Sequence, residues 1–514
     1  MSILDKASLI QIPSGYKSTK LYSLRPSNGD GDFTFARSSS ATRVNAEGLI
    51  ETASVLGSEE IVNGDFATDS DWTKQSSWTI GGGLATYDAV VNSHYIQQNL
   101  AFISGKEYKF TFTVSGGSGN SRIGFYSDNN IVVGISGYSN GTHTVYGTAN
   151  IVGLNLRIFA ASSGGAFSID NVSVKEVFEN DVPRLDYSDG SCACLLLEPQ
   201  STNLITYSED FSQWNAINNV IVTDNFTTSP DGTQNASKLV FDGTTIGRIE
   251  LSVSASGTNT QSVYLKTESG TQNVSIGAGT ADLTEFTITN QWVRYSHTGG
   301  GTYPRILCND AATIYVYGAQ FEQGSYATSY IPTSGSTVTR TADVCNNAGT
   351  SATFNSTEGV LFAEIAALAN DGTYRMISLS DGTATNRISF FYQNSPSNTI
   401  AVESAGSGTN LGIYGQSLTI TNSNKIAVKY KANDCALWVN GVEIATDTSF
   451  AAFSSGTFTK LSFDRGDGIN DFYGKTKQLM TFDEALSDEE LSDLTGQVNL
   501  SFNNLATFYN YTIL

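Results

Sequence analysis

Residues Val182–Ile205 read VPRLDYSDGSCACLLLEPQSTNLI, and the middle of this stretch decides the fold. Cys192 to Leu197 is an unbroken apolar run of strand length, preceded by an Asp-Gly turn and closed by Glu198-Pro199. A run apolar on both faces predicts a strand buried on both sides. Glycine tolerates the positive φ of a tight turn, and Pro199 has no N–H to carry the ladder further. Segments that resemble each other lie before and after it. The stretch is therefore expected to be a spine holding a row of β modules together.

The totals agree with that expectation. A chain of 514 residues is too long for one core, so three or four domains are expected. Charged residues are only 15%, there are 49 glycines, and aromatics make up 11%. This is the balance of turn-rich β sandwiches rather than helical bundles. A net charge of −21 repels phosphate backbones and anionic lipid surfaces, which argues against nucleic-acid partners and membrane adhesion. No apolar run is long enough to span a bilayer, and the first fifteen residues lack the apolar core of a signal peptide. The five cysteines form no CxxC pair, and Cys192 and Cys194 are too close along one strand to bridge. They are expected to be reduced core thiols of a chain that matures in a reducing cytoplasm.

Read in order, residues 1–56 form a small N-terminal attachment segment without a core of its own. Residues 57–178 form a first jelly roll, 179–202 the connecting spine strand and 203–331 a second jelly roll. Residues 332–353 read as a Ser/Thr-rich linker, 354–496 as a third sandwich and 497–514 as an apolar tail expected to pack on its own module or a neighbouring subunit. The first two modules repeat one another. Asn63-Gly64-Asp65-Phe66 with Trp72 matches Ser208-Glu209-Asp210-Phe211 with Trp214. Glu107–Val114 matches Gln261–Lys266, Thr142–Tyr146 matches Gln291–Tyr295, and Phe167–Val174 matches Ile314–Phe321. Phe66 and Asn171 lie 105 positions apart, Phe211 and Gly318 107, so order and length both indicate a duplication. In the third module, Asn440-Gly441 predicts a tight hairpin. Ser487 with Glu490 predicts a capped helix whose inner face carries Leu486, Leu491 and Leu494.

Three resemblances add to this reading. Asn63–Phe66, Trp72 and Asp170–Val174 resemble the paired end strands of jelly rolls of the carbohydrate-binding-module type. The order ALWVNGVEIA, Gly-rich loop, K-x-x-x-L-x-x-F and ALSDEEL resembles the laminin-G-like, concanavalin-like lectin fold. The stretches Arg37–Glu51, Pro183–Ile205 and Tyr317–Thr333 resemble head spike, head fibre or tail fibre proteins of tailed bacteriophages. In that family Glu51 is soon followed by the P-R-L-D-Y segment, so the first jelly roll reads as an insertion. The resemblance implies an all-β virion-surface subunit, assembled in the host bacterial cytoplasm and attached to other capsid or tail proteins. It also implies a homo-oligomer, with a trimer favoured, and attachment to host-surface or environmental glycans. A purely structural capsid decoration or adaptor is one alternative, and a tail-borne polysaccharide depolymerase is the other.

Candidate sites follow from side-chain chemistry. An exposed aromatic ring stacks on the apolar face of a sugar. Trp78, Tyr95 and Trp72 are the candidates in the first module. Trp72 has the counterpart Trp214 and reads better as a core plug, whereas Trp78 has none and is the better surface candidate. Asp464, Asp467 and Asp471 crowd the loop DRGDGIND with the oxygen ligands Ca²⁺ prefers, against the competing reading of a solvated turn. Asp65 and Asp170 form a second candidate Ca²⁺ pair. Catalysis is not expected. His94, His143 and His297 lie in different strand contexts, and Gly137–Gly141 fits G-x-S-x-G between two strands, where a hairpin belongs rather than a nucleophile elbow. Residues 354–495 lack the alternating carboxylates of a glycosidase strand.

Overall fold

A computed structural model describes residues 3–17, 19–190, 192–279, 282–394, 397–406 and 411–496. The chain is strand and turn almost throughout, with a single α-helix, Asp488–Thr495, among the described residues. It divides into two compact units, one comprising Ser54–Glu179 and the other the segments on either side.

The inserted unit is the first jelly roll. Its strands in chain order are β1 Thr73–Lys74, β2 Trp78–Gly81, β3 Leu84–Tyr87, β4 His94–Phe102, β5 Glu107–Ser115, β6 Ser121–Ser127, β7 Asn130–Tyr138, β8 Gly141–Thr148, β9 Gly153–Ala161 and β10 Phe167–Phe178. One sheet has the order 8-5-10-3-2 and the other 7-6-9-4-1. Apart from the hairpins β2–β3 and β6–β7, successive strands cross between the sheets as in a jelly roll. Alternating residues of both sheets, among them Phe110, Phe112, Phe125 and Ile158, fill the space between them. Val55–Leu56 pairs with Val177–Phe178, so the chain enters and leaves this unit along adjacent antiparallel strands.

The second jelly roll lies in the other unit. Its strands are β11 Asn215–Ile217, β12 Ile221–Thr227, β13 Ala236–Asp242, β14 Gly247–Glu250, β15 Asn259–Thr267, β16 Gln272–Gly277, β17 Leu283–Ile288, β18 Val293–Gly299, β19 Arg305–Cys308 and β20 Ala311–Gln323. Its sheets have the orders 18-15-20-13-12 and 17-16-19-14-11, each strand ten places after its counterpart. The duplication extends to irregularities. Both closing strands carry a bulge, with Asn171 at φ 51° in β10 and Gly318 at φ 62° in β20. Trp72 packs on Phe66 and donates its indole N–H to Asn63 O, while Trp214 packs on Phe211 and donates to Tyr207 O. The backbone pairing Val172 to Gly64 recurs as Ala319 to Ser208. Tyr207-Ser208 thus stands where the first copy has Asn63-Gly64, a shift of one residue from the alignment expected of the sequence.

The third module packs a large sheet against a five-stranded one. Gly474–Phe482 is central to the large sheet: Glu358–Ala367 pairs along one edge, and the other edge is shared. Cys194–Leu197 takes one end of that shared edge and Ala7–Gln11 the other. The spine strand is buried throughout from Cys194, but Cys192 is exposed, so the two-sided burial begins two residues later than the apolar run. The N-terminal segment therefore builds into the third module's sheet. Asn440 at φ 50° and Gly441 at φ 88° make the expected hairpin. Ser487 and Glu490 form the expected capping box, and the residues read as an apolar tail lie outside the described ones.

The stretch read as a linker is not one. Val338–Arg340 pairs with Ser201–Asn203, and Val344–Asn346 pairs with Phe33–Ala36. Arg340 and Asp343 enter a buried ionic cluster with Arg37, Arg184 and Glu198. Arg37 Nη1 lies 3.0 Å from Asp343, Arg340 Nη1 lies 2.8 Å from Glu198, and Arg184 bridges Glu198 and Asp343. Burial pushes the Glu198 carboxyl up, but Arg340, Arg184 and a hydrogen bond from Ser329 outweigh it and hold the group well below the usual carboxylate range. Buried charges that lose a partner are strongly destabilising, so this cluster fixes how the N-terminal segment, spine and residues 338–343 meet.

Candidate functional site

The outward face of the first jelly roll's 7-6-9-4-1 sheet carries a compact aromatic surface. Strand alternation places it there. Ile96, Phe125 and Ile158 point into the core, so their neighbours Tyr95, Tyr126 and Phe159 point out. The register sets Tyr95 opposite Phe159 on adjacent strands, and Gln97 and Tyr126 on either side of Arg157. Phe159 sits between the two tyrosines, 4.9 Å from Tyr95 and 4.6 Å from Tyr126 between ring centroids. The Arg157 guanidinium lies 4.7 Å from the Tyr95 centroid and donates to Gln97 Oε1 and Asn129 Oδ1. Gly124 opposes Phe159 and leaves the space across which Tyr126 lies; a Cβ there would meet Tyr126 Cε2 at 2.9 Å and Ile135 Cγ1 at 2.7 Å. All three rings are half-buried, with polar amides at their margin. Such a surface offers apolar ring area beside hydroxyl-reading groups, the combination a sugar needs.

The second jelly roll provides an internal comparison. Ile249 and Ile306 are the buried counterparts of Ile96 and Ile158. At the outward positions Tyr95 becomes Arg248, Phe159 becomes Leu307 and Tyr126 becomes Gly277, while Arg157 corresponds to Arg305 and Gln97 to Glu250. Arg248 and Arg305 close on Glu250 at 2.9 and 3.0 Å. The same fold forms with or without the three rings, so the jelly roll does not require them for its core.

Of the aromatic residues singled out from sequence, Tyr95 alone belongs to this surface. Trp78 is a correction: it is 3% exposed, packs on Tyr87 and Phe167 and donates its indole N–H to His94 O. It pairs with Tyr87 at an inward register position, which its lack of a counterpart could not reveal. Trp72 is 6% exposed and is a core plug. Phe159, Tyr126 and Arg157 were missed, although the alternation that exposes Tyr95 marks them equally.

The acidic candidates do not converge on a cation, and no group of three His, Cys, Asp or Glu side chains suited to a metal occurs among the described residues. Asp467 is turned onto Arg465 at 2.6 and 3.1 Å, Asp464 is buried and accepts from Gly466 N–H, and Asp471 accepts from Tyr473. Burial, with a smaller contribution from Asp464, raises the Asp471 carboxyl to about 6. Asp65 is exposed and caps its own turn, and Asp170 accepts from Asn171. The histidines stay apart: His94 meets Ser77 N–H, His143 meets Ser139 O, and His297 meets Thr284 and Asp282. An opening of about 550 Å³ lined by Tyr187, Tyr264 and Tyr330 also carries Arg43, Arg294 and Lys475, each of which already has a partner. Arg43 meets Glu51, Lys475 meets Asp189, and Arg294 donates to Thr328 O.

The fold so described is all-β, two jelly rolls and a third β-sandwich. No protein-family description and no curated protein matches the chain. Solved structures similar to parts of it include the carbohydrate-binding module 40 of a Ruminococcus gnavus IT-sialidase bound to α2,3-sialyllactose. That likeness has 18% identity over 27% of this chain and 83% of that one, with a TM-score of 0.24. The tandem CBM22 domains of Paenibacillus barcinonensis Xyn10C are 12% identical over 52% of this chain and 97% of theirs, TM-score 0.20. Domain 4 of AbnA, an arabinanase of Geobacillus stearothermophilus, in complex with arabinotriose, is 15% identical over 34% and 84%, TM-score 0.25. Likenesses this distant carry no argument about ligand or role.

Proposed function

We propose that this chain is a structural subunit of a phage particle, a head fibre, spike or tail fibre, whose first jelly roll binds glycans without catalysis. The observation that carries the glycan half is the Tyr95–Phe159–Tyr126 surface with Arg157, present in one copy of a duplicated fold and replaced by an ion cluster in the other. The virion half rests on the resemblance of Arg37–Glu51, Pro183–Ile205 and Tyr317–Thr333 to phage fibre proteins. Those stretches supply Arg37, Arg184 and Glu198 of the buried cluster, which is what a shared architectural core requires. Assembly as a trimer on other virion proteins belongs to the same proposal.

The test is a glycan array probed with the full chain and with the Tyr95→Ala/Phe159→Ala pair. Binding that falls about tenfold or more in the variant, with melting preserved, is the expected result, a loss of about 1.4 kcal/mol. Equal binding by both proteins, or none by the parent, removes the glycan half. Imaging of intact particles with the chain labelled tests the virion half; absence from the particle removes it.

A further inference from the structure

The outward face of the second jelly roll's other sheet, 18-15-20-13-12, carries a different surface. Register sets Lys238 and Lys266 on either side of Tyr315. Trp292 continues the row beyond Lys266, because Leu265 opposes Val293; on β12 the register partner of Lys238 is Thr223, and Phe226 reaches the row from within the irregularity that follows it. The row thus runs Phe226, Lys238, Tyr315, Lys266, Trp292, across β12, β13, β20 and β15 to the residue just before β18, roughly 19 Å at the usual strand spacing. Lys238 Nζ stands 3.8 Å from the Phe226 centroid, and Lys266 Nζ stands 4.9 Å from Trp292 and 5.5 Å from Tyr315. Phe226 and Tyr315 are stacked at 5.9 Å and 13°. Phe226 is 42% exposed, both lysines and Trp292 are half-buried, and Tyr315 is only 8% exposed, so it forms the floor of the row beneath the two lysine stems.

Two features make this a site rather than a decorated face. Neither lysine has a carboxylate within ion-pair reach among the described residues, in a chain of net charge −21; the one acid that touches the row, Glu268, meets the Tyr315 hydroxyl instead. Moreover, the first jelly roll forms the same sheet with small polar residues in the row. Thr86, Ser168, Ser115 and Asn140 stand where the second copy has Lys238, Tyr315, Lys266 and Trp292. The sheet pairing of the first copy forms without these rings and cations, although Trp292 also packs on the cluster of Ile50, Ala236, Tyr317 and Tyr330 and donates its indole N–H to Thr228 O.

We infer that this row is a binding site for an extended carboxylated polysaccharide, its two accessible rings, Phe226 and Trp292, taking sugar faces and its two lysines taking acidic groups. A cation over a ring keeps its charge available to an anion while its stem covers apolar surface. A row several strands long takes a short run of sugar units rather than one. Nucleic acid is the weaker match, since two cations neutralise only two phosphates and the rest of the surface is acidic. The inference uses none of the first module's aromatic surface, so the two readings fail separately.

The experiment is affinity electrophoresis of the full chain in gels containing polygalacturonate, neutral dextran or oligothymidylate. The variants copy the first jelly roll: Lys238→Thr with Lys266→Ser, and separately Trp292→Asn. A Lys238→Gln/Lys266→Gln pair, which keeps more of each stem, guards against loss of packing, and thermal melting checks the fold of each. The expected result is retardation by polygalacturonate alone, weakened about tenfold by either lysine pair, reduced by Trp292→Asn and diminished as salt shortens the screening length from about 30 Å toward about 8 Å. Equal mobility of the parent in polygalacturonate and dextran overturns the inference, as does unchanged retardation in both lysine pairs. Stronger retention by oligothymidylate overturns it in favour of nucleic acid.

Discussion

Glu198 accepts from Arg184 and Arg340 where water does not reach, and its neighbours decide its protonation. Its carboxyl is held below its ordinary value of 4.5 in the folded chain, so its contribution to stability is complete above that value and is lost as pH falls from there toward the depressed folded value. Glu198→Gln leaves two buried guanidinium groups short of charge and is expected to cost about 3–5 kcal/mol in chemical denaturation at neutral pH, and less in acid. Asp471 has the opposite sign. Its folded value of about 6 lies above the ordinary 3.8, so stability falls as pH rises through that window. Asp471→Asn removes the slope, and its gain in melting temperature over the parent should be larger at pH 7 than at pH 4. At this scale the sequence was readable only where periodicity governed. Tyr95 is outward because Ile96 is inward, whereas the burial of Trp78 depends on a hairpin register with Tyr87 that composition does not fix. The pairing of Arg340 and Asp343 with residues more than 140 positions away has no local signal at all, which is why a structural hub reads as a linker.

Among the elements, the duplicated jelly rolls are each other's control. Ten strands recur in one order, and the two closing strands bend at Asn171 and Gly318. These positions require positive φ, which glycine and asparagine tolerate and β-branched residues do not. A Cβ at Gly318 would also lie 3.3 Å from both Tyr264 and Tyr330. Gly318→Val is expected to cost about 1–3 kcal/mol, whereas Asn171→Gly should leave melting nearly unchanged; a Gly318→Val protein that melts with the parent would remove the role assigned to this bulge. The repeat was legible in the sequence because aromatic and strand patterns keep their spacing. Alternation marks the outward residues of each strand, but which of them meet on one surface depends on which of two sheets the strand joins, and that was not legible.

For the whole molecule, the insertion is the defining architectural fact. Ala53 N–H bonds Ala41 O and Asp181 N–H bonds Arg37 O, so both flanks of Ser54–Glu179 are anchored on one short segment of the remaining unit. Excision of Ser54–Glu179 with a short Gly-Ser joint is therefore expected to leave that unit cooperative in thermal unfolding. The excised chain should lose array binding of the first module and keep retardation by polygalacturonate. Failure of the excised chain to fold would show that the inserted unit is needed for the rest.

Arg37 and Asp343, 306 positions apart, also impose a schedule. Ala7–Gln11 has no sheet to join until Leu479–Phe482 has been made. At about 5–20 residues per second, that leaves the first strand waiting for roughly half a minute or more after it leaves the ribosome. The inserted jelly roll lies wholly within the interval and can close on its own strands, drawing residues 37 and 181 together long before their later partners exist. Synthesis from a truncated message should consequently yield a protease-resistant inserted unit and an unprotected N-terminal strand.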